Sequence, residues 1–396
     1  MPHDVPLKSP AQTLSPREVP HTVSPGLWTL AWRRLQSDYV GMVSLGIVGL
    51  FLLLMLLSAT GLVAKDWARE VGTNYAPPTF IGADIEGGAP AAPGAPVVPE
   101  PPALEYKSSI VDPIGDVIAE LKGKPTAPAA APGADDKSVD PLADVMADIR
   151  AGKGVKNDVT PAEVRSATLP FGGDKWGRDV LRKTIKGSET SIFVGIMSAI
   201  VATLLGTVFG AMAGYYGRWV DDFFNWFYSV FSSIPYLLLV LAVAAVLQQK
   251  GMTTIILILG LTGWTGVFRL IRAEYLKHKA REYVQAADAI GASNARRIFV
   301  HIFPNVSHVV LVQLSILTVG FIKAEVILSF LGFGVPVDVV SWGSMLNEAQ
   351  NELILGKWWQ LAAATIAMAT LVTAFSLFTD ALRDALDPKL KGRLGH

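Results

Sequence analysis

Six stretches of this chain are apolar over roughly the length needed to cross a bilayer, and that limits the fold more than any other feature. A spanning helix rises about 1.5 Å per residue and must cover about 30 Å of hydrocarbon, so about 20 mostly apolar residues are required. Residues 40–63 meet this without a single charge, and further runs follow at 192–215, 223–247, 253–271, 306–330 and 359–378. The fourth is the shortest. Backbone polar groups in lipid must be bonded within the segment, so each run is expected to be a helix. The first starts late, behind a polar, proline-containing tail, which argues against a cleaved signal peptide. Composition agrees: 51% of residues are hydrophobic and 17% charged, against about 25% charged in soluble domains.

Lysine and arginine in the short connections set the orientation. The segment 269–301 carries Arg269, Arg272, Lys277, Lys279, Arg281, Arg296 and Arg297, and the tail carries Arg383, Lys389, Lys391 and Arg393. The connection 332–358 carries only Lys357, and the turn near Gly251 only Lys250. The basic segments are therefore expected in the cytoplasm. An even number of spans puts the N-terminus there too, and leaves 64–168 outside. Gly206, Gly210 and Gly214 recur every fourth residue in the second span and predict a smooth face for close packing within the chain.

The external segment is rich in Ala, Pro and Gly at 87–102 and 125–134, a composition that favours partial disorder. Two similar segments, 112–122 and 140–150, each open on Asp-Pro, a helix-starting pair. Each places apolar residues at i, i+3, i+4 and i+7: Ile114, Val117, Ile118 and Leu121, then Leu142, Val145, Met146 and Ile149. Two short amphipathic helices on a tether are expected, packing on each other, on the membrane or on a partner protein, or without a specific role.

Several functions are excluded or unsupported. No GxxxxGK[ST] phosphate loop, GxSxG elbow or HExxH helix occurs, so no catalytic constellation and no cofactor site is expected. There is no cysteine, and the six histidines are scattered; His301 and His308 share a helical spacing but read as structural rather than metal-binding. Net charge is zero, which gives no support to a nucleic-acid partner.

The informative cytoplasmic segment runs from Glu282 through Gln285, Ala286, Ala287, Gly291 and Ser293 to Pro304. Residues 280–290 favour a helix, Gly291 stops it, and Ser293 can cap a second helix from Asn294. Ala286 and Ala287 are small enough to leave a shallow surface beside the turn, with Arg296 and Arg297 flanking it. A helix-turn-helix projecting from the membrane suits docking better than catalysis. This segment resembles the EAA loop of binding-protein-dependent ABC permeases, with Ala286, Ala287, Gly291 and Pro304 at the motif's positions. Gln285 stands where that motif has glutamate and Phe303 where it usually has leucine.

Further stretches resemble the C-type permeases for dipeptides, oligopeptides and nickel. Gly172, Gly173, Asp174, Gly177, Arg178 and Asp179 look like a GTDxxGRD segment with Gly173 in place of threonine. Residues 213–217, 328–334, 341–345 and 380–388 look like further signatures, in order and at matching spacing. The resemblance covers 28–60 loosely and 169–393 closely; most of the external segment lies outside it. It implies an all-α type I ABC importer permease (MetI-like) fold in a bacterial inner membrane. The divisions are a cytoplasmic tail 1–39, a first transmembrane helix 40–63, an external insertion 64–168, a permease core 169–380 with five spans, and a cytoplasmic tail 381–396. It also implies a transporter subunit rather than an enzyme. The implied partners are a second homologous permease, two cytoplasmic ATPases that hydrolyse ATP, a periplasmic substrate-binding protein and membrane lipid. Glu282, Gln285, Ala286, Ala287, Gly291, Arg296 and Pro304 are the expected ATPase-coupling residues. Peptides are the favoured cargo, with nickel or another small solute as the alternative.

Lys323 and Glu325 fall inside the fifth apolar run, near its outer end. Charges in a span are costly and mark functional positions. Two residues apart, they point to different helix faces, and each is a candidate for lining the translocation route or for binding another helix or subunit. The resembled family usually has a glutamate at 325. The rivals from other classes are an ion-driven secondary transporter using these two as relay groups, and a membrane-anchored scaffold working through its external repeats.

Overall fold

The computed structural model describes residues 27–82 and 165–386. The chain divides into two compact units, 1–82 with 166–396 and 83–165. The paired helices expected at 112–122 and 140–150 lie outside the described residues, as does most of the insertion.

The described residues are helical, with only isolated backbone bridges such as Glu70 to Arg178. A short helix α1 (Leu27–Ser37) leads into α2 (Tyr39–Ala59), which Asp38 caps by accepting from the Val40 amide at 3.0 Å. Then come α3 (Val180–Tyr216), α4 (Arg218–Ser232), α5 (Tyr236–Leu247), α6 (Met252–Thr262), α7 (Thr265–Lys279) and α8 (Glu282–Ala289). The short turn Asn294–Arg296 and a π-helical turn Arg297–Ile302 run into α9 (Phe303–Phe330). α10 (Trp342–Ile354) and α11 (Trp359–Leu386) complete the described chain.

Among the described residues four stretches are long and apolar enough to cross a membrane unbroken: α2, α3, Asn294–Phe330 and α11. The other two expected spans are bent pairs, α4 with α5 at 82° and α6 with α7 at 42°. Counting each pair as one span gives the expected six. Hydropathy runs straight through Ile234 and Pro235, yet proline lacks an N–H and pushes the residue before it out of the helical region, so the helix breaks there. The second bend falls at Gly263 and Trp264, between α6 and α7.

α3 begins twelve residues earlier than its apolar run. Asp179 caps it, accepting from the Leu181 amide at 2.8 Å. At 37 residues it is about 55 Å long, well beyond the hydrocarbon thickness. Its first three turns carry Lys183, Lys186 and Glu189, so they extend past the lipid. Hydropathy marked the buried slab and missed the overhang.

α3 is also the central packing element, and its glycines explain why. A Cβ on Gly206 would sit 2.6 Å from Val267 Cβ, one on Gly210 2.8 Å from Phe268 O, and one on Gly214 2.6 Å from Arg272 O. The smooth stripe therefore receives the backbone of α7. Beside it, Trp264 stacks on Phe227 at 5.3 Å between centroids and meets Phe209, Phe231 and Phe268 edge-on. Gly210→Leu is expected to cost about 1–3 kcal/mol through overpacking and to lower the thermal midpoint of the detergent-solubilised protein. Gly266→Ala meets nothing within 4 Å and should leave the midpoint unchanged or raised. An unchanged midpoint in Gly210→Leu would mean that α3 and α7 are not packed this way.

Candidate functional site

One end of the helices carries α8 and its turn. Gly291 adopts φ +82°, a region open to glycine at little cost. Its amide bonds Asp288 O at 2.9 Å, and the Ala292 amide bonds Ala287 O at 2.9 Å, closing α8 in a Schellman stop. Ser293 Oγ then accepts from the Arg296 amide at 3.3 Å and starts the next turn. Among the described residues nothing lies within 4 Å of where a Gly291 Cβ would be.

Glu282, Gln285, Ala286, Gly291, Arg296 and Pro304 are all exposed, and the Gln285 amide reaches only back to Ala280 O, at 3.4 Å. Ala287 corrects the expectation of a surface built from both alanines, because it is buried. It lies three residues after Val284, so both are on the inner side of α8, where Val284 joins the cluster holding Tyr215, Tyr275, Ile298 and Ile302. Ile290, 85% exposed at the tip, is the apolar knob of this surface. It went unnoticed in the sequence because one isoleucine before a glycine carries no pattern.

A polar strap ties the turn to the long helices. Arg297 is ion-paired with Asp288 and donates to Asn294 Oδ1 at 2.5 Å. Tyr215 Oη, at the end of α3, donates to the same oxygen at 2.9 Å, and Lys279 Nζ at the end of α7 donates to Tyr215 O at 2.7 Å. Arg272 holds Asp221 in a bidentate pair at 2.5 and 2.6 Å, linking α7 to α4. A push on the turn therefore reaches α3, α7 and, through the π-helical turn, α9. Pro304, which cannot donate to the preceding turn, sits where that irregular stretch enters α9.

Lys323 and Glu325 point apart, as their spacing implies. Glu325 is fully buried, and its Oε1 accepts from Ser329 Oγ at 2.7 Å. Near its end of the molecule the Trp342 amide bonds Ser191 Oγ at 3.2 Å, and the Trp342 indole bonds Thr184 O at 3.0 Å. Lys323 lies on the exposed side of α9.

The opposite end holds a charged hub that the sequence reading did not single out. Lys183 is 1% exposed, and its ammonium meets Asp174 at 2.7 Å, Glu348 at 2.6 Å and Gln360 Oε1 at 3.2 Å. Asp174 also accepts from the amides of Trp176 at 2.9 Å and Arg178 at 3.0 Å, folding its glycine-rich loop. The Trp359 indole fastens that loop by donating to Gly173 O at 2.7 Å. Four segments thus meet on one buried cation. Lys183 was legible only as a lysine ahead of a span. The partners lie 9 to 177 residues away, beyond the reach of local pattern.

Glu352 closes the hub, accepting from the Lys175 amide at 3.3 Å while its Oε2 is buried without a partner among the described residues. Burial pushes its carboxyl up to about 7; Lys183 opposes the shift, and Asp174 and Glu348 add to it. A carboxyl raised this way binds its proton more tightly when folded, so stability is retained at low pH and lost as pH climbs towards 7. The whole shift is worth on the order of 3 kcal/mol. The thermal midpoint should fall between pH 5 and 8, and Glu352→Gln should flatten that fall. A variant with the wild-type slope would remove Glu352 as its origin. Among the described residues no group of His, Cys, Asp and Glu could hold a metal ion.

Comparison with known proteins adds a second line. Residues 206–392 match the family described as "Binding-protein-dependent transport system inner membrane component". The chain is 38% identical over 226 residues to the dipeptide transport system permease protein DppC of Bacillus subtilis, covering 57% of this chain and 70% of that one. It is 36% identical over 221 residues to the oligopeptide transport system permease protein OppC of the same organism, covering 56% and 72%. To the OppC protein of Haemophilus influenzae it is 35% identical over 219 residues, covering 55% and 70%.

Proposed function

Because the chain belongs to the family of binding-protein-dependent transport inner-membrane components, we propose that it is a permease subunit of a peptide importer, coupled to ATPases through the turn at Gly291. The cargo reading rests on relatives named for dipeptide and oligopeptide transport. The coupling reading rests chiefly on one observation: a Gly291 turn that is exposed, unfilled by its own chain, tipped by Ile290 and strapped to α3 and α7.

The chain is a multi-pass inner-membrane protein. In the orientation we propose, which the distribution of basic residues supports, α8 and both termini lie in the cytoplasm and the hub end with α10 in the periplasm. Two ATPases grip the turn of this chain and that of a second, homologous permease, while a periplasmic binding protein delivers cargo to the hub side. ATP hydrolysis belongs to those ATPases; this chain makes and breaks no substrate bonds. Glu282, Gln285, Ala286, Gly291, Arg296 and Pro304 form the outward docking surface, and Ala287 seats α8 on the bundle. ATP binding draws the two ATPases together, and the strap passes that displacement to α3, α7 and α9. The pathway then switches between inward- and outward-facing forms. The coupling works only because the ATPases bind the two forms with different free energies.

Uptake of labelled di- and oligopeptides by cells lacking this gene tests the cargo. Wild-type protein should restore uptake; restored uptake of a metal ion or sugar in place of peptide would redirect the assignment.

A further inference from the structure

Lys323 sits on the side of α9 that the other described residues leave uncovered. The face packed against α3, α10 and α11 buries Val319, Ile322, Glu325, Val326 and Ser329. The opposite face presents Ile316, Lys323, Ile327 and Leu331, with Gly320 half-exposed among them. These recur at intervals of three and four residues and form one stripe. Lys323 is its sole charge, and no hydrogen bond or ion pair holds it among the described residues. Around Gly320, less than one turn away, a Cβ would meet nothing within 4 Å, so the space beside the lysine is open among the described residues.

A lysine turned to lipid inside a span is costly even towards its outer end. The stripe is therefore better placed against water or polar cargo than against acyl chains. What the ammonium seeks is a carboxylate. Glu325, two residues on, is buried on the far side and cannot supply it. Every unmodified peptide carries one carboxylate at its C-terminus whatever its sequence, whereas its N-terminal ammonium would be repelled.

Resting on the reading of this chain as a peptide permease, we propose that Lys323 binds the C-terminal carboxylate of the peptide during its passage along the exposed face of α9. Gly320 lets the peptide backbone approach the ammonium. Lys323 is then a specificity-determining residue for free-acid peptides over their amides, largely independent of side chains.

The test compares uptake of one peptide as free acid and as C-terminal amide, at concentrations well below saturation, in cells carrying wild type, Lys323→Gln or Lys323→Arg at matched membrane levels. Lys323→Gln should lower free-acid uptake about tenfold, the loss expected for one charge-assisted hydrogen bond, and should spare the amide; Lys323→Arg should keep most of the free-acid rate. An equal fall for acid and amide, the outcome if the lysine pairs with a carboxylate of a partner subunit, would overturn the proposal, as would no change in either. A second reading uses the absence of cysteine from this chain. Lys323→Cys should react with an anionic, water-soluble thiosulfonate, and free-acid peptide should slow that reaction; an unreactive thiol means a lipid-facing or enclosed position and ends the proposal. If wild type takes up no peptide at all, the peptide reading itself fails, a result distinct from either of these.

Discussion

Replacing Lys183 with methionine is expected to deplete the protein from the membrane, with steady-state levels falling several-fold and the surviving fraction melting earlier. The substitution keeps a long apolar stem but leaves Asp174 and part of Glu348 as buried anions without their cation. Removing one partner of a buried ion pair costs about 3–5 kcal/mol, mostly because the other charge is stranded. A loss of this size exceeds the 1–2 kcal/mol that already alters cellular abundance several-fold. Asp174 also organises the loop of Gly173, Trp176 and Arg178, so the damage should spread to the Trp359 anchor. Asp174→Asn added to Lys183→Met should recover part of the loss by removing the stranded charge. Immunoblots of membrane fractions and thermal scans in detergent measure both effects. A Lys183→Met protein with wild-type level and midpoint would mean that the hub does not hold this end of the molecule together.

The second large effect is functional. Gly291→Asp should abolish peptide uptake while the protein stays in the membrane at its normal level. Aspartate tolerates the left-handed region better than most residues, and the site has free space, so the chain itself has little reason to misfold. The new carboxylate instead projects into the surface beside Ile290 that an ATPase would cover, where an unpaired desolvated charge is costly. Gly291→Asn, with the same shape and no charge, should retain more uptake than Gly291→Asp. Ile290→Ala should also weaken coupling, since a well-exposed apolar anchor is the kind of residue on which an interface depends. Uptake in Gly291→Asp equal to wild type would remove the turn from the coupling path.

Much of this was readable in the sequence because it is local. The six apolar runs, the Gly-stop at 291, the Ser293 cap and the glycine stripe of α3 all depend on residues within a turn or two of one another. The bends at Pro235 and Gly263 were hidden by uniform hydropathy, which averages over a single backbone defect. The inward turn of Ala287 depends on the cluster beneath α8, and so on α3, α7 and the π-helical turn. The hub was the least visible: Lys183, Glu348, Glu352 and Gln360 come from three helices, and only the fold brings them together. Glu325 and Lys323 were flagged equally by their cost in lipid. Packing alone separates them, one enclosed beside Ser329 and the other facing outward.

In the proposed cycle, ATP hydrolysed by the partner ATPases moves the Gly291 turn and so drives peptide across the membrane through this chain. This is tested most directly by reconstituting the full transporter complex in sealed vesicles, with labelled dipeptide and binding protein outside and ATP inside or absent. The account predicts accumulation above the external concentration only when ATP is inside, and none with the Gly291→Asp complex. Accumulation without ATP, driven by an imposed proton or sodium gradient, would contradict it.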